Sequence, residues 1–204
     1  MLRAALIDRA AQLVADHGSG GLTLRRLTSD LGVSTMAVYT HFGSMDDLGV
    51  ALREEGFIRL AHHLDAVQHS RDPLYDLGML GWAYCQNALA NPNLYRVMFM
   101  AGDEPAGREI GYETFERLIL AVDRVMKAGK FTPGDATARA AQLWALTHGA
   151  VSLNLADLLT FDETQETLLG GASALFIGCG GEPTAVGRSI DRMRRALRTV
   201  GPKR

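Results

Sequence analysis

The sequence predicts an all-α protein. Apolar residues recur three and four positions apart along most of the chain, as they do on the buried face of an amphipathic helix. Alternation of apolar and polar residues, which is typical of a half-buried strand, is not sustained in any segment. The chain has 204 residues, of which 47% are hydrophobic, so it is long enough to bury a core in one domain or two.

Glycines separate the first two predicted helices. A helix over about residues 2–17 has an inner stripe of apolar residues and ends in the glycine-rich stretch 18–21. Thr23 is a favourable N-cap for a second helix over residues 24–31, in which leucines repeat at helical spacing. Gly32 is expected to end this second helix.

The third predicted helix is too short to be stable alone. Ser34 is its N-cap, and Val38 and Phe42, four residues apart, supply its buried side. Its outer face would then carry Thr35, Met36, Tyr39 and Thr40. Because nucleating so short a helix costs more than its few hydrogen bonds return, presenting this face must serve a purpose. Two short helices about a glycine-containing turn form a helix-turn-helix, whose second helix enters the major groove of DNA.

The rest of the chain is predicted to be helical as well. A fourth helix begins at Ser44, where Asp46 and Asp47 in the first turn suit the positive end of the helix dipole. The predicted helices from the fourth onwards span residues 44–69, 74–90, a short segment after Asn91-Pro92, 108–128, 136–159, 163–179 and 183–200, with loops at 102–107 and 130–134.

Several residues of the N-terminal region form a pattern together. They are Leu22-Thr23, Leu31-Gly32-Val33-Ser34 and Tyr39-Thr40-His41-Phe42, followed by Ser44 and Leu48. This pattern resembles the DNA-binding domain of the tetracycline-repressor (TetR) family of bacterial transcription regulators, over roughly residues 1–50. The resemblance implies that residues 1–46 bind DNA and that residues 47–204 form a helical domain for ligand binding and dimerisation.

The resemblance also implies a role for each residue that matches the motif. Arg25 would reach a base edge, and guanine is the usual partner of arginine. The residues that would line the major groove are Thr35, Met36 and Thr40, with Ser34 at the start of their helix. The residues that would hold phosphates are Thr23, Tyr39 and His41. For Arg26, a phosphate contact and a solvated charge are both open.

The charge of this region is low for a DNA-binding domain. Residues 1–45 contain four arginines and three aspartates, and the whole chain has a formal net charge of −2. Backbone amides and neutral donors at helix starts must therefore make many of the phosphate contacts. In the family a lysine typically follows the cap of the fourth helix, and here that position is Met45. This departure predicts a salt dependence of DNA binding that is shallower by about one unit of slope.

A second pattern lies in the eighth predicted helix, where Trp144 and His148 share a face and Gly149 follows. Trp-x-x-x-His-Gly resembles the C-terminal domain of one TetR subgroup. His148 is either a hydrogen-bonded residue of the core or a polar anchor in an apolar ligand cavity. The stripe of methionine and aromatic residues in the preceding helices is likewise either core or an adaptable pocket wall. The candidate pocket residues are Trp82, Gln86, Tyr95, Met98, Phe99, Phe115, Ile119, Val122, Trp144 and His148.

The eighth and ninth predicted helices carry few charges, so they must be buried on most sides. Pairing with the same helices of a second copy would cover them, and a two-fold dimer would present two recognition helices to a palindromic operator. The candidate interface residues are Leu143, Leu146, Ala150, Leu153, Leu158, Leu168, Ala172, Leu175 and Phe176. The basic last helix is expected to pack on the body of the protein through Val186, Ile190, Met193 and Leu197.

Other features restrict the function. No apolar run approaches the roughly 18 residues of a membrane span, and charges interrupt the N-terminal apolar stretch, so we expect a cytoplasmic protein without a signal peptide. Cys85 and Cys179 lie in apolar patterns without metal-ligand spacing and are expected to be buried thiols. Neither a metal nor a cofactor is predicted, and no phosphate loop, nucleophile elbow or acid–base dyad indicates an enzyme.

These observations predict a ligand-responsive transcription regulator. We expect a repressor that binds its operator as a homodimer and is released when a small molecule favours a conformer with the fourth helix moved. The first alternative is a constitutive DNA-binding dimer, whose second domain would be filled by side chains. The second is a helical enzyme or carrier for an apolar metabolite, which would keep its turnover after Arg25 and Tyr39 are changed to alanine.

Overall fold

The computed structural model describes residues 1–100 and 108–198, and every regular element in these ranges is a helix. The all-α prediction is therefore confirmed for the described chain. The helices are α1 (Leu2–His17), α2 (Leu24–Leu31), α3 (Thr35–Phe42), α4 (Met45–Asp65), α5 (Pro73–Ala90), α6 (Pro92–Met100), α7 (Arg108–Lys127), α8 (Ala136–Leu155), α9 (Phe161–Gly178) and α10 (Pro183–Arg198), with a 3-10 turn at Ser19–Gly21. The loop predicted at 102–107 and the end of the last predicted helix lie outside the described residues.

The chain divides into two compact units. Unit 1 consists of Met1–Ala61 and Ala90–Glu113, and unit 2 consists of His62–Leu89 and Thr114–Arg204. Helices α4 and α7 each contribute several residues to both units, and α5 contributes its last residue, Ala90, to unit 1. The functional boundary expected after residue 46 stays a prediction.

The core of unit 1 joins helices that are distant in sequence. Leu6 and Ile7 of α1 are fully buried with Leu27 of α2 and Val38 of α3. Helix α6 packs on α1 and adds apolar side chains such as Leu94 to the same cluster. This helix falls within residues 47–204, for which the sequence predicts the second domain, and its apolar character alone does not indicate which helices cover it.

In unit 2, α9 packs on both α8 and α10, and α5 and α7 add further buried apolar residues. The prediction for the last helix is confirmed, since its apolar residues are buried: Val186, Ile190, Met193 and Leu197. Its arginines lie at or near the surface, and Arg194 donates to the Glu166 carboxylate of α9 at 2.9 Å.

Two helix ends differ from the sequence prediction. Helix α4 ends at Asp65 and does not continue to about residue 69: the Val67 N–H bonds three residues back to the Leu64 carbonyl at 3.1 Å, and the Ser70 N–H donates to the Asp76 carboxylate at 2.8 Å. Helix α8 ends at Leu155 and not at 159. There Asp157 has a φ of 58°, and the amide of the Asn154 side chain donates to the Leu159 carbonyl at 3.0 Å.

Candidate nucleic-acid interface and a second polar cluster

The helix-turn-helix is fixed by caps at the start of both its helices. The Thr23 hydroxyl accepts from the Arg26 N–H at 3.3 Å, and the Ser34 hydroxyl accepts from the Ala37 N–H at 3.3 Å. Between the helices, Gly32 has a φ of 64°, a left-handed conformation that strains residues with a Cβ. These three predicted positions of the turn are confirmed, and they set the direction in which α3 leaves α2.

Helix α3 separates a buried side from an exposed side. Val38 is fully buried in the core of unit 1, whereas Tyr39, its neighbour, is 44% exposed. The predicted DNA-facing residues are all at least partly exposed: Thr23, Arg25, Arg26, Ser34, Thr35, Met36, Tyr39, Thr40 and His41. The residues Thr35, Met36, Tyr39 and Thr40 are the outer face of α3. That these residues contact DNA stays a prediction.

The four N-terminal arginines differ in the contacts that their side chains make. Arg9 donates through Nε to the Asp30 carboxylate at 2.8 Å, so it ties α1 to α2. Arg3 lies 5.5 Å from the centre of the Phe42 ring, and Arg26 donates to the Gly21 carbonyl at 3.4 Å. The exposed Arg25 side chain makes no hydrogen bond or ion pair with another described residue, so it can turn towards a ligand.

The start of α4 is capped but carries no cation. The Asp47 N–H donates to the Ser44 hydroxyl at 3.0 Å, as the capping pattern predicted. Met45 is half-buried against the core cluster of unit 1. The position at which the family typically has a lysine is therefore used here for packing.

A second group of polar and aromatic side chains lies in unit 2. The Tyr84 hydroxyl lies 3.0 Å from His148 Nδ1, and the indole N–H of Trp144 donates to the same hydroxyl at 3.4 Å. The Trp144 ring also lies 5.7 Å from the His148 ring and 5.8 Å from that of Phe115. We call these four residues the aromatic cluster.

The histidine of the aromatic cluster is a neutral hydrogen-bonding group. Its Nδ1 lies within hydrogen-bond distance of the Tyr84 hydroxyl, a contact that a neutral ring makes as acceptor or as donor according to its tautomer. Burial lowers the pKa of His148 below its ordinary value of 6.5. The histidine is therefore neutral at pH 7, an acceptor on one nitrogen and a donor on the other.

The indole N–H of Trp82 is a buried hydrogen-bond donor without an acceptor among the described residues. Its side chain is 3% exposed and its ring meets the Phe161 ring edge-on at 5.6 Å. The buried indole N–H has no hydrogen-bond partner among the described residues. Leaving such a donor unsatisfied costs about 1–3 kcal/mol, so it is expected to serve a ligand or a water molecule.

The predicted pocket residues do not all lie in one unit. Those in unit 2 are Trp82, Gln86, Phe115, Ile119, Val122, Trp144 and His148, and the structure brings Phe115, Trp144 and His148 together. Those in unit 1 are Tyr95, Met98 and Phe99 of α6. Tyr95 is buried with its ring 5.0 Å from Phe99, whose ring meets Phe57 at 6.0 Å. Tyr84 and Phe161 are not among the predicted pocket residues, because nothing local relates them to partners 60 or more residues away.

The predicted dimer residues also separate into two groups. Those buried within one chain are Leu143, Ala150, Leu168, Ala172 and Phe176. These five need no second copy to be covered, because they are buried within a single chain. Those that remain partly or fully exposed are Leu146, Leu153, Leu158 and Leu175, and Ile177 is exposed as well. The overall apolarity of α8 and α9 therefore does not indicate which side of these helices faces outward.

Two further properties concern the whole described chain. None of its helices is long and apolar enough to cross a membrane. Within residues 1–100 and 108–198, no group of three or more His, Cys, Asp or Glu side chains is placed to hold a metal ion.

Comparison with known proteins gives two family matches. Residues 6–52 match the family described as bacterial regulatory proteins, tetR family, and residues 77–170 match the tetracyclin repressor-like C-terminal domain. The transcriptional repressor AcnR of Corynebacterium glutamicum is 37% identical over 59 residues, which are 29% of this chain and 31% of AcnR. The chain thus spans about a third of the length of this curated relative. The nucleoid occlusion factor SlmA of Edwardsiella ictaluri is 27% identical over 168 residues, 77% of this chain and 84% of SlmA.

Solved structures extend the likeness to the whole fold. A Rhodococcus sp. RHA1 protein of unknown function superposes with a TM-score of 0.74 at 28% identity, over 88% of this chain and 95% of that one. The TetR-family regulator PfmR of Thermus thermophilus superposes with a TM-score of 0.72 at 17% identity, over 84% and 96% of the two chains. Since the two family matches together cover more than half of its residues, the chain belongs to the TetR family of bacterial transcription regulators, with a helix-turn-helix DNA-binding domain at its N-terminal end.

Proposed function

We propose that the protein is a cytoplasmic transcriptional repressor that binds a palindromic operator as a homodimer and is released by a small molecule. The observation that carries the proposal is the outer face of α3, exposed above the buried Val38 and capped by Ser34. In this proposal Arg25 reads a base edge, Tyr39 and His41 hold phosphates, and the outer face of α3 lies in the major groove. The name of the relative AcnR, a transcriptional repressor, favours repression over activation.

The proposed dimer is supported by apolar side chains that are exposed on a single chain. Leu153 and Leu158 near the end of α8, and Ile177 of α9, are exposed large apolar residues. A two-fold dimer through this surface buries the same patch of both copies, since an isologous interface is self-complementary. Such a dimer also supplies two recognition helices for two half-sites about one turn of DNA apart.

Small-molecule binding is supported by the chemistry of unit 2. The aromatic cluster and the Trp82–Phe161 pair contain apolar rings, a neutral histidine and an unsatisfied indole N–H. None of these side chains carries a charge at pH 7, so desolvating an ionised ligand there would be costly. The expected effector is therefore an uncharged, largely apolar molecule with an oxygen acceptor for Trp82.

The DNA-binding proposal is tested with the purified full-length protein. Duplexes are selected from a random pool, and the sequence and footprint of those retained are determined. We expect a palindrome with half-sites about one helical turn apart, bound by two copies of the chain. A non-symmetric site bound by one copy would contradict the dimer, and the absence of any selected sequence would contradict the regulator.

The effector proposal uses a natural reporter, because the only two tryptophans of the chain are Trp82 and Trp144. Tryptophan fluorescence is followed while acetophenone, benzoate or benzylamine is added, three probes with the same ring but a neutral, anionic or cationic group. We expect acetophenone to bind most tightly of the three. Trp82→Phe should weaken the binding of acetophenone more than that of benzene, which has no acceptor oxygen. Equal binding of the three probes, or no loss in Trp82→Phe, would contradict the assignment.

A further inference from the structure

Helix α7 contacts different parts of unit 2 on its two sides. Phe115 lies on one side, where its ring contacts Trp144 of the aromatic cluster. Arg117 and Arg124 lie together on another side, because residues seven apart are close to two full turns. Both arginines contact the end of α4 or the segment that follows it. One helix therefore touches both the candidate effector site and the end of α4.

The two arginine contacts differ in how easily they open. Arg124 donates to the buried carboxylate of Asp76 at 2.7 Å and to the Ser70 carbonyl at 2.7 Å. Opening this contact would leave a buried charge without its partner, so Arg124 is a fixed anchor. Arg117 instead pairs with Asp65 through Nε at 2.8 Å and Nη2 at 3.2 Å, and these side chains are 35% and 57% exposed. Solvent can replace the bonds of such an exposed pair at little cost.

The exposed pair also has a particular place in the chain. Asp65 and Arg117 each lie within about one helical turn of the point at which their helix, α4 or α7, enters unit 2. Asp65 is the last residue of α4, and at the other end of this helix only Gly43 and Ser44 separate it from α3. The pair thus joins two of the helices that contribute residues to both units.

We propose that the Arg117–Asp65 pair couples the effector site to operator affinity. The proposal rests on the proposed function and specifies its regulation. An effector that displaces Phe115 moves α7, Arg117 then withdraws from Asp65, and α4 is free to take a position unfavourable for α3. Such coupling requires only that the effector and the operator favour different arrangements of one element, here the α4–α7 contact.

The test measures operator affinity without any effector. Asp65→Asn and Arg117→Gln are compared with wild type on the selected duplex. We expect each to weaken binding roughly two- to fivefold, the range that an exposed ion pair can supply. The charge-reversed double variant Asp65→Arg with Arg117→Asp should bring the affinity back towards wild type.

The chain offers a matched control pair. Arg194 and Glu166 also form two hydrogen bonds, at 3.3 and 2.9 Å, and are 35% and 63% exposed. This pair joins α9 to α10, which do not contribute to unit 1. Glu166→Gln and Arg194→Gln should therefore leave operator affinity unchanged, while the thermal unfolding of all four single variants stays similar.

The outcomes distinguish a failure of the coupling proposal from a failure of the proposed function. Equal affinities for variants of both pairs, or no recovery in the charge-reversed variant, would show that Arg117–Asp65 is only a surface contact. In that case the wild-type protein would still bind the selected duplex, and Arg25→Ala would still reduce that binding. Failure of wild type to select any duplex would instead remove the proposed function itself.

Discussion

The helix-turn-helix and the aromatic cluster place polar groups in opposite ways. The outer face of α3 is exposed, and the caps that shape it bond to backbone within three residues. In the aromatic cluster, Tyr84 bonds to side chains 60 and 64 residues away, and His148 is partly buried. Changes on the outer face should therefore alter binding while leaving the fold intact. Changes among the long-range contacts of unit 2 should alter stability and function together.

The largest effect is expected from Arg25→Ala. Losing a bidentate arginine–guanine contact costs about 1–3 kcal/mol, and a dimer on a palindrome loses it twice. Because Arg25 is exposed, the free energy of unfolding should change little. Operator affinity is measured by anisotropy, and unfolding by urea titration.

The control for Arg25→Ala is Arg195→Ala, which removes the same charge from α10, at a position in its last turn. Similar losses of operator affinity in both variants would mean that Arg25 contributes only general charge, and the base-reading role would have to be abandoned.

Asp76→Asn should have the next largest effect, on stability. Burial alone would raise the pKa of Asp76, but hydrogen bonds from Ser70 and Arg124 outweigh it and lower this pKa below its ordinary value. The Asp76 carboxylate is buried, but Arg124 is 36% exposed and keeps its hydrogen bond to the Ser70 carbonyl. Losing the charged hydrogen bonds of Asp76 should therefore cost about 2 kcal/mol in urea titrations at pH 7. A lowered pKa means that this stabilisation is present above the pKa of the unfolded chain and lost as the pH falls through that of the folded state.

The matched variant Glu166→Gln removes an exposed carboxylate of unit 2 that also pairs with an arginine. It should cost less than about 1 kcal/mol. If Asp76→Asn is no more destabilising than Glu166→Gln, the buried network around Arg124 does not hold unit 2 together.

The same contrast explains how far the sequence could be interpreted. The boundaries of α2 and α3, the caps Thr23 and Ser34, and the turn at Gly32 follow from interactions within a few residues, and the structure has all of them. The position of α6 in unit 1 could not be predicted, because an apolar helix gives no sign of which neighbour covers it. The same limit applies to the Arg117–Asp65 pair, whose members are 52 residues apart. Local chemistry is visible in the sequence, and long-range packing is not.

His148→Gln is expected to have a smaller effect, visible as a change in pH dependence. Burial lowers the pKa of His148, so as the pH falls the unfolded chain takes up a proton before the folded chain does. The folded state therefore loses stability from about pH 6.5 downwards, until its own lower pKa is reached. Glutamine can still form a hydrogen bond with Tyr84 but does not titrate. The urea midpoint should fall less between pH 7.5 and 5.5 in this variant than in wild type, and an equal fall would show that His148 is not held neutral.

The smallest effect is expected from Met45→Lys, which restores the cation that the resemblance to the family leads one to expect. One added phosphate contact per half-site should steepen the plot of log affinity against log salt by about 0.9 for each half-site. Between 50 and 200 mM salt that is roughly a threefold larger loss of affinity per half-site. Met45 is half-buried, so Met45→Leu serves as the control for packing without charge. An unchanged slope in Met45→Lys would mean that the start of α4 does not approach the DNA backbone, and α3 would then have to enter the groove in another orientation.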